Sequence, residues 1–182
     1  MITSCELCAK IAIEKAIREE AERIKSAQRE ERKKYLEKEI AKLFAEKFLA
    51  PLISELTEVP NHLFIGYIRN DEYCGTNGSL RIYKNIGPWK EELTHWGNPM
   101  KRRCFEDEIK IELDYPISFD ECVTLKPKLN IVLLNQYLEN FGFKIISEIQ
   151  KVCTSMYSTS TPDYYWEISS LYLTAICPEE NF

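Results

Sequence analysis

The sequence predicts an α+β protein, in which a long N-terminal helix precedes a compact domain with a mostly antiparallel sheet of about five strands and one or two helices. Three observations carry this. From Cys5 to Leu56 there is no Gly or Pro before Pro51, and nearly half of the residues are Glu, Lys or Arg. Beyond Pro60 the apolar pattern changes from helical to extended, and turn-forming residues cut the remainder into short segments. The expected division is residues 1–58 as the charged helix, its C-terminal third docked on the body, and residues 59–182 as the α+β domain.

Local signals set the start of the helix. Thr3 is placed to cap it, Glu6 three residues later completes a capping box, and Ile2 with Leu7 occupies the hydrophobic staple positions. Glu6 with Lys10, Glu14 with Arg18, Glu19 with Arg23 and Glu30 with Lys34 stand four apart, each pair contributing about 0.2–0.5 kcal/mol. The apolar stripe is uneven. Between Arg18 and Lys34 only Ile24 and two alanines are apolar, whereas Leu36, Ile40, Leu43, Phe44, Phe48, Leu49, Leu52 and Ile53 make a wide face. A wide face belongs on a core and a narrow one on a solvated or partner-bound helix, so the first two thirds are expected to project. Pro51 should kink the helix or begin a short second one, acting about one turn back.

His62 to Arg69 and Leu80 to Ile86 read as strands joined by a turn at Asn77-Gly78. Pro88 and Gly97 bracket a short helix carrying Trp89, Leu93 and Trp96, and Glu108 to Tyr115 alternates as a half-buried strand. A helix is expected from about Leu129 to Asn140, ending at Gly142. Phe143 to Val152 and Tyr164 to Ile176 read as two further strands, separated by the polar link Thr154 to Asp163.

With 182 residues, the chain has room for one well-buried domain plus an appendage. The 29 acidic against 24 basic side chains leave a net charge of −5, which argues against indiscriminate nucleic-acid binding. No run of 18 apolar residues occurs and no signal-peptide pattern opens the chain, so a cytoplasmic location is expected, with no membrane partner. Seven scattered cysteines, an odd number, fit reduced thiols better than a disulfide framework.

Candidate chemistry is sparse. Cys5 and Cys8 form a CxxC at the first helical turn, but a structural zinc site needs four ligands and no second paired motif follows. Two small semi-apolar helix residues explain them better, and neither a metal nor another cofactor is expected. His62 and His95 have no serine or cysteine partner in their sequence context. His95 lies in Glu91 to Arg103, where Trp96 and the run Lys101, Arg102, Arg103 make an aromatic and basic segment of the kind that dominates interfaces. Glu106, Asp107 and Glu108, directly behind, are placed to neutralise that run. Phosphate-loop and dinucleotide signatures are absent.

The order of elements resembles the core of PD-(D/E)xK nucleases, with Glu108-Ile109-Lys110 as the ExK of the third strand. That resemblance implies metal-dependent phosphodiester hydrolysis. The aspartate that the family carries on the second strand is missing, for Gly75 to Lys90 contains no acidic residue.

A charged helix from Arg18 to Glu39 joined to a compact acidic domain, without a catalytic set, favours a protein-binding module over an enzyme. In size, charge and layout the whole chain resembles phage and mobile-element anti-CRISPR proteins, inhibitors of type II RNA-guided nucleases. The resemblance implies a stoichiometric inhibitor in the cytoplasm of a bacterial host, which binds the nuclease or its guide RNA complex and blocks DNA binding or cleavage. Charge complementarity with a basic nucleic-acid channel would assist the encounter. The expected partner-binding residues are Arg18, Arg23, Arg29, Lys33 and Lys34 on the helix, and Trp89, Trp96, Lys101, Arg102 and Arg103 on the body. A helical oligomerisation or adaptor role is the competing use of the same helix, although the stripe through Ile17, Ile24, Glu31 and Lys38 decays too soon for sustained heptads.

Overall fold

The computed structural model describes residues 4–70, 79–112, 118–157 and 164–176. Helix α1 runs Ser4–Phe44, widens into a π-helical turn at Ala45–Leu49 and resumes as the short α2, Ala50–Ser54. Pro51 accounts for the irregularity. It has no N–H to donate one turn back and its ring crowds that turn, so a locally wider winding absorbs the defect. The cap and staple at Ile2, Thr3, Glu6 and Leu7 and the turn at Asn77-Gly78 lie outside the described residues or side chains. On the helix surface Lys15 reaches Glu19 at 3.8 Å and Arg23 reaches Glu20 at 3.1 Å, in place of the expected Glu19 pairing with Arg23.

Among the described residues the sheet has seven strands: β1 (Leu63–Arg69), β2 (Ser79–Ile86), β3 (Lys90–Leu93), β4 (Pro99–Arg102), β5 (Phe105–Glu112), β6 (Phe143–Tyr157) and β7 (Tyr164–Ala175). Their spatial order is β3-β4-β6-β7-β1-β2-β5, and every pairing is antiparallel. Two strands more than expected come from β3 and β4, which replace the short helix expected between Pro88 and Gly97. Three local features decide for the hairpin. Asn98 precedes Pro99 and is kept out of helical geometry. Gly97 adopts φ +76° in a turn closed by the Thr94 N–H on the Asn98 carbonyl. Across the strands Glu91 meets Lys101 at 3.6 Å. Strand β6 also runs on to Tyr157, through part of the segment expected as a loop.

Two short helices complete the fold, α3 (Phe119–Leu125) and α4 (Ile131–Leu138). The sequence reading missed α3, whose signal is the capping box Ser118-x-x-Glu121: the Glu121 N–H donates to Ser118 Oγ, and the Glu121 carboxylate accepts from the Ser118 N–H. Helix α4 passes through a 3-10 turn, Glu139–Phe141, and stops at Gly142 as expected.

One core joins these layers. Phe44 and Leu49 from the helix, Leu134 and Leu138 from α4, and Ile65, Ile82, Leu171 and Leu173 from the sheet are all buried in a single cluster. Leu36 and Ile40 extend the helix face toward its N-terminus and are equally buried. The i, i+4 spacing of Leu36, Ile40 and Phe44 places all three on one line of the helix. From Cys8 to Glu31, by contrast, every residue is exposed.

The far end of the sheet is closed, and topology forces it. Strands β4 and β5 lie five steps apart in the sheet order, about 24 Å in a flat sheet at roughly 4.8 Å per step. Only Arg103 and Cys104 connect them, and three Cα–Cα steps span at most about 11 Å. The sheet must therefore bend until its two sides meet. The Arg103 N–H donates to the Thr154 carbonyl of β6, and the Gly87 N–H at the end of β2 donates to the Cys104 carbonyl. The two linking residues are thus bonded to both sides.

Because Phe44 stands at the centre of this core, Phe44→Ala should lower unfolding stability by about 3–5 kcal/mol. Ile17→Ala on the exposed stretch should change it by less than about 0.5 kcal/mol. Urea denaturation of the two variants checks the contrast.

Candidate functional site

The expected partner-binding residues fall on two separate surfaces. Arg18, Arg23 and Arg29 lie on the exposed stretch of α1, with Lys33 and Lys34 where it approaches the body. Trp89, Trp96, Lys101, Arg102 and Arg103 belong to the β3–β4 hairpin and its flanks. Among the described residues no hydrogen bond, ion pair or ring contact joins the two groups.

On the helix, the side chains between Cys8 and Glu31 include Ile11, Ile13, Ile17 and Ile24, all exposed; Ile17 retains 65% and Ile24 52% of its free surface. Where the helix reaches the body, Arg32 Nε donates to Glu121 Oε1 of α3 at 3.1 Å. Glu37 accepts from the Lys128 N–H at 3.4 Å just beyond. Glu121 thereby joins two structures, capping α3 with one oxygen and holding Arg32 with the other. The Arg32 hydrogen bond, and after it the Ser118 N–H, holds the Glu121 carboxyl below its ordinary range.

The hairpin presents Trp96 at its tip, 83% exposed, with His95 edge-on beside it. At its base Arg103 is fixed: its Nε donates to the Cys153 carbonyl at 3.0 Å and its guanidinium lies over Trp89 at 4.8 Å. The acidic cluster does not neutralise the basic run as expected. Glu106 turns to Lys90 at 3.8 Å, Glu108 to Arg81 at 3.3 Å and Asp107 to the Asn85 side chain. Lys101 takes Glu91 of the facing strand β3.

Sequence reasoning missed the groups that surround the closed end. Trp166 of β7 lies between the Arg69 guanidinium, 3.1 Å from its ring centroid, and the Phe105 ring, stacked at 5.5 Å with 9° between planes. Phe105 in turn meets Tyr83 at 5.1 Å. This column ties β1, β7, β5 and β2 across the closure. Its available signal was the apolar and aromatic content of both faces of β7, Trp166 and Ile168 on one and Leu171 and Leu173 on the other. A strand apolar on both faces is covered on both.

A third surface is the free edge of β6. Only its last residues pair with β4, at Ser155, Met156 and Tyr157. Upstream, the Asn135 side chain takes the place of a strand at Ile145, accepting its N–H at 2.7 Å and donating to its carbonyl at 3.0 Å. By the period of two, Ser147, Ile149 and Lys151 turn their backbone groups to the same edge, where no strand pairs with them among the described residues.

The ExK residues are engaged locally, Glu108 with Arg81 and Lys110 with Glu112 at 3.6 Å. Among the described residues no three His, Cys, Asp or Glu side chains converge as metal ligands. Cys8, Cys104, Cys122 and Cys153 are free thiols, and burial pushes the Cys122 thiol up. The Cys5 side chain lies outside the described residues. No helix among the described residues is long and apolar enough to cross a membrane. No protein-family model matches the chain, and no curated protein or solved structure matches it either.

The Glu121 bridge has a definite pH signature. A carboxyl depressed in the folded state contributes stability above its unfolded pKa of about 4.3 and loses it as pH falls through the lower folded value. Glu121→Gln should therefore be less stable than the parent chain at pH 7, and the gap should shrink towards zero as both are acidified through that range. Paired thermal melts across pH 7 to 3 check it.

Proposed function

We propose that the chain is a non-enzymatic protein-binding module that acts as a stoichiometric inhibitor and meets its partner through the outer stretch of α1. One observation carries this reading: Ile11, Ile13, Ile17 and Ile24 stand exposed on a helix whose residues from Cys8 to Glu31 are all exposed. Isoleucine is a poorer helix former than Ala, Leu, Lys or Glu, so these residues do not serve the helix itself. Nor do they serve the core. Burial against another protein is the remaining physical use, worth about 1.5–3 kcal/mol for each side chain fully covered.

The interleaved Glu, Lys and Arg around them select orientation and register without drawing in polyanions or polycations at large. Trp96 and the free edge of β6 are further surfaces of the same kind, an exposed aromatic anchor and a set of open backbone groups. The resemblance to anti-CRISPR proteins supplies the specific form: the partner is a type II RNA-guided nuclease or its guide-loaded complex, held so that DNA binding or cleavage is blocked. The alternative of a PD-(D/E)xK-like nuclease draws less support, since Glu108 and Lys110 are each held in an ion pair and β2 carries no carboxylate.

Ile17→Glu with Ile24→Glu isolates the helix surface, because both positions are exposed and the melting temperature should not change. Wild-type protein should suppress DNA cleavage at near-equimolar amounts without consuming DNA, and the double variant should need about a hundredfold more, the loss of roughly 2–3 kcal/mol. Cleavage unaffected by wild-type protein across type II nucleases would remove that target class. Equal potency of the variant would move the interface off the helix.

A further inference from the structure

The closed end of the sheet holds a hollow of about 460 Å³, open to solvent, whose wall includes Met100, Arg102, Arg103, Phe105, Ser155 and Trp166. Its volume is that of a small-ligand site. Three features of the wall are unusual for a chain of net charge −5. Arg102 and Arg103 have no carboxylate partner among the described residues, the nearby acids being turned to Lys90, Arg81 and Asn85. Ser155, only 9% exposed, has a hydroxyl with no hydrogen-bond partner among the described residues. Arg102 and Ser155 are also direct cross-strand partners between β4 and β6, so their side chains share one face.

We infer that this hollow binds a small phosphomonoester carried on an apolar or aromatic body. Two guanidinium groups carry +2, which matches the −1.5 to −2 of a phosphomonoester near neutrality better than the single charge of a carboxylate. Arg103 is pre-positioned by its bond to Cys153 and by Trp89, leaving its two terminal nitrogens to donate. Arg102, exposed at the rim, closes on the other side, and a turn of the Ser155 side chain to another rotamer gives its hydroxyl the partner that it lacks. Arg69 and Glu108, the other charged residues of the wall, are engaged with Trp166 and Arg81. The apolar body cannot stack on Trp166, because Arg69 and Phe105 occupy both faces of the indole. It packs instead against Met100 and the ring edges.

Phenyl phosphate titrated into the full chain, followed by amide chemical shifts, tests this with inorganic phosphate and phenol as separate probes. Phenyl phosphate should bind saturably, at least about tenfold more tightly than either probe alone. Arg102→Ala should weaken it about tenfold or more, and Arg103→Lys, which keeps charge but loses the fork, should weaken it too. Ser155→Ala is the most diagnostic variant: it removes an unpartnered buried hydroxyl, so the melting temperature should hold or rise while affinity falls. The proposal is overturned if phenyl phosphate gives no saturable shifts, if phenol binds as tightly, or if Arg102→Ala and Ser155→Ala leave its affinity unchanged.

Discussion

A single helix crosses the boundary between core and solvent, and this continuity governs the molecule. Leu36, Ile40, Phe44 and Leu49 anchor its inner part by burial, and the backbone runs unbroken from Phe44 back to Ser4. The direction of the outer part is therefore set by packing more than thirty positions away from its tip, and no glycine or proline intervenes to relax it. The anchoring apolar face ends at Leu36, and the last contacts with the body are polar: Arg32 with Glu121, and Glu37 with the Lys128 N–H. Lys25, Gln28 and Arg29 still line a cleft with α3, and beyond Lys25 the helix keeps its form by propensity and surface pairs, which is marginal for an isolated segment. A partner that covers the isoleucines would supply the packing energy that the body withholds.

The sheet obeys a second constraint of equal force. A two-residue link between strands at opposite sides cannot exist in a flat sheet, so the closure at Arg103-Cys104 and the hollow beside it are consequences of chain length. The Arg69–Trp166–Phe105–Tyr83 column fills the space that closure creates. The same geometry draws Arg102, Arg103 and Glu108 to one hollow, where the pairing of β5 with β2 engages Glu108 with Arg81.

Where local chemistry decides structure, the sequence was readable. The change in apolar stripe width near Leu36 marks the true limit of burial, Pro51 disturbs the preceding turn, and Gly142 ends the second long apolar segment. The hairpin at Lys90 to Arg102 was misread because Trp89, Leu93 and Trp96 have helical spacing, although Leu93 and Trp96 are exposed and the turn at Gly97 and Pro99 outweighs the pattern. Helix α3 was legible in Ser118 and Glu121 but is too short to show a period. The hollow was not legible at all. It depends on Arg102 meeting Ser155 across β4 and β6, a pairing between residues far apart in sequence, and on a strand order that no local signal encodes.

The exposed helix, the hairpin tip and the free edge of β6 surround a small, well-packed centre. Asn135 and Arg103 bracket the open part of the β6 edge, which confines any added strand to a short register. How the helix divides is what most of this interpretation rests upon, and amide hydrogen exchange along α1 measures it directly. Amides from Leu36 to Leu49 should exchange only through global unfolding, and those from Cys8 to Glu31 should exchange faster by orders of magnitude, with the step between Arg32 and Leu36. Uniform protection from Cys8 to Leu49 would contradict the division and show that the outer stretch is already packed.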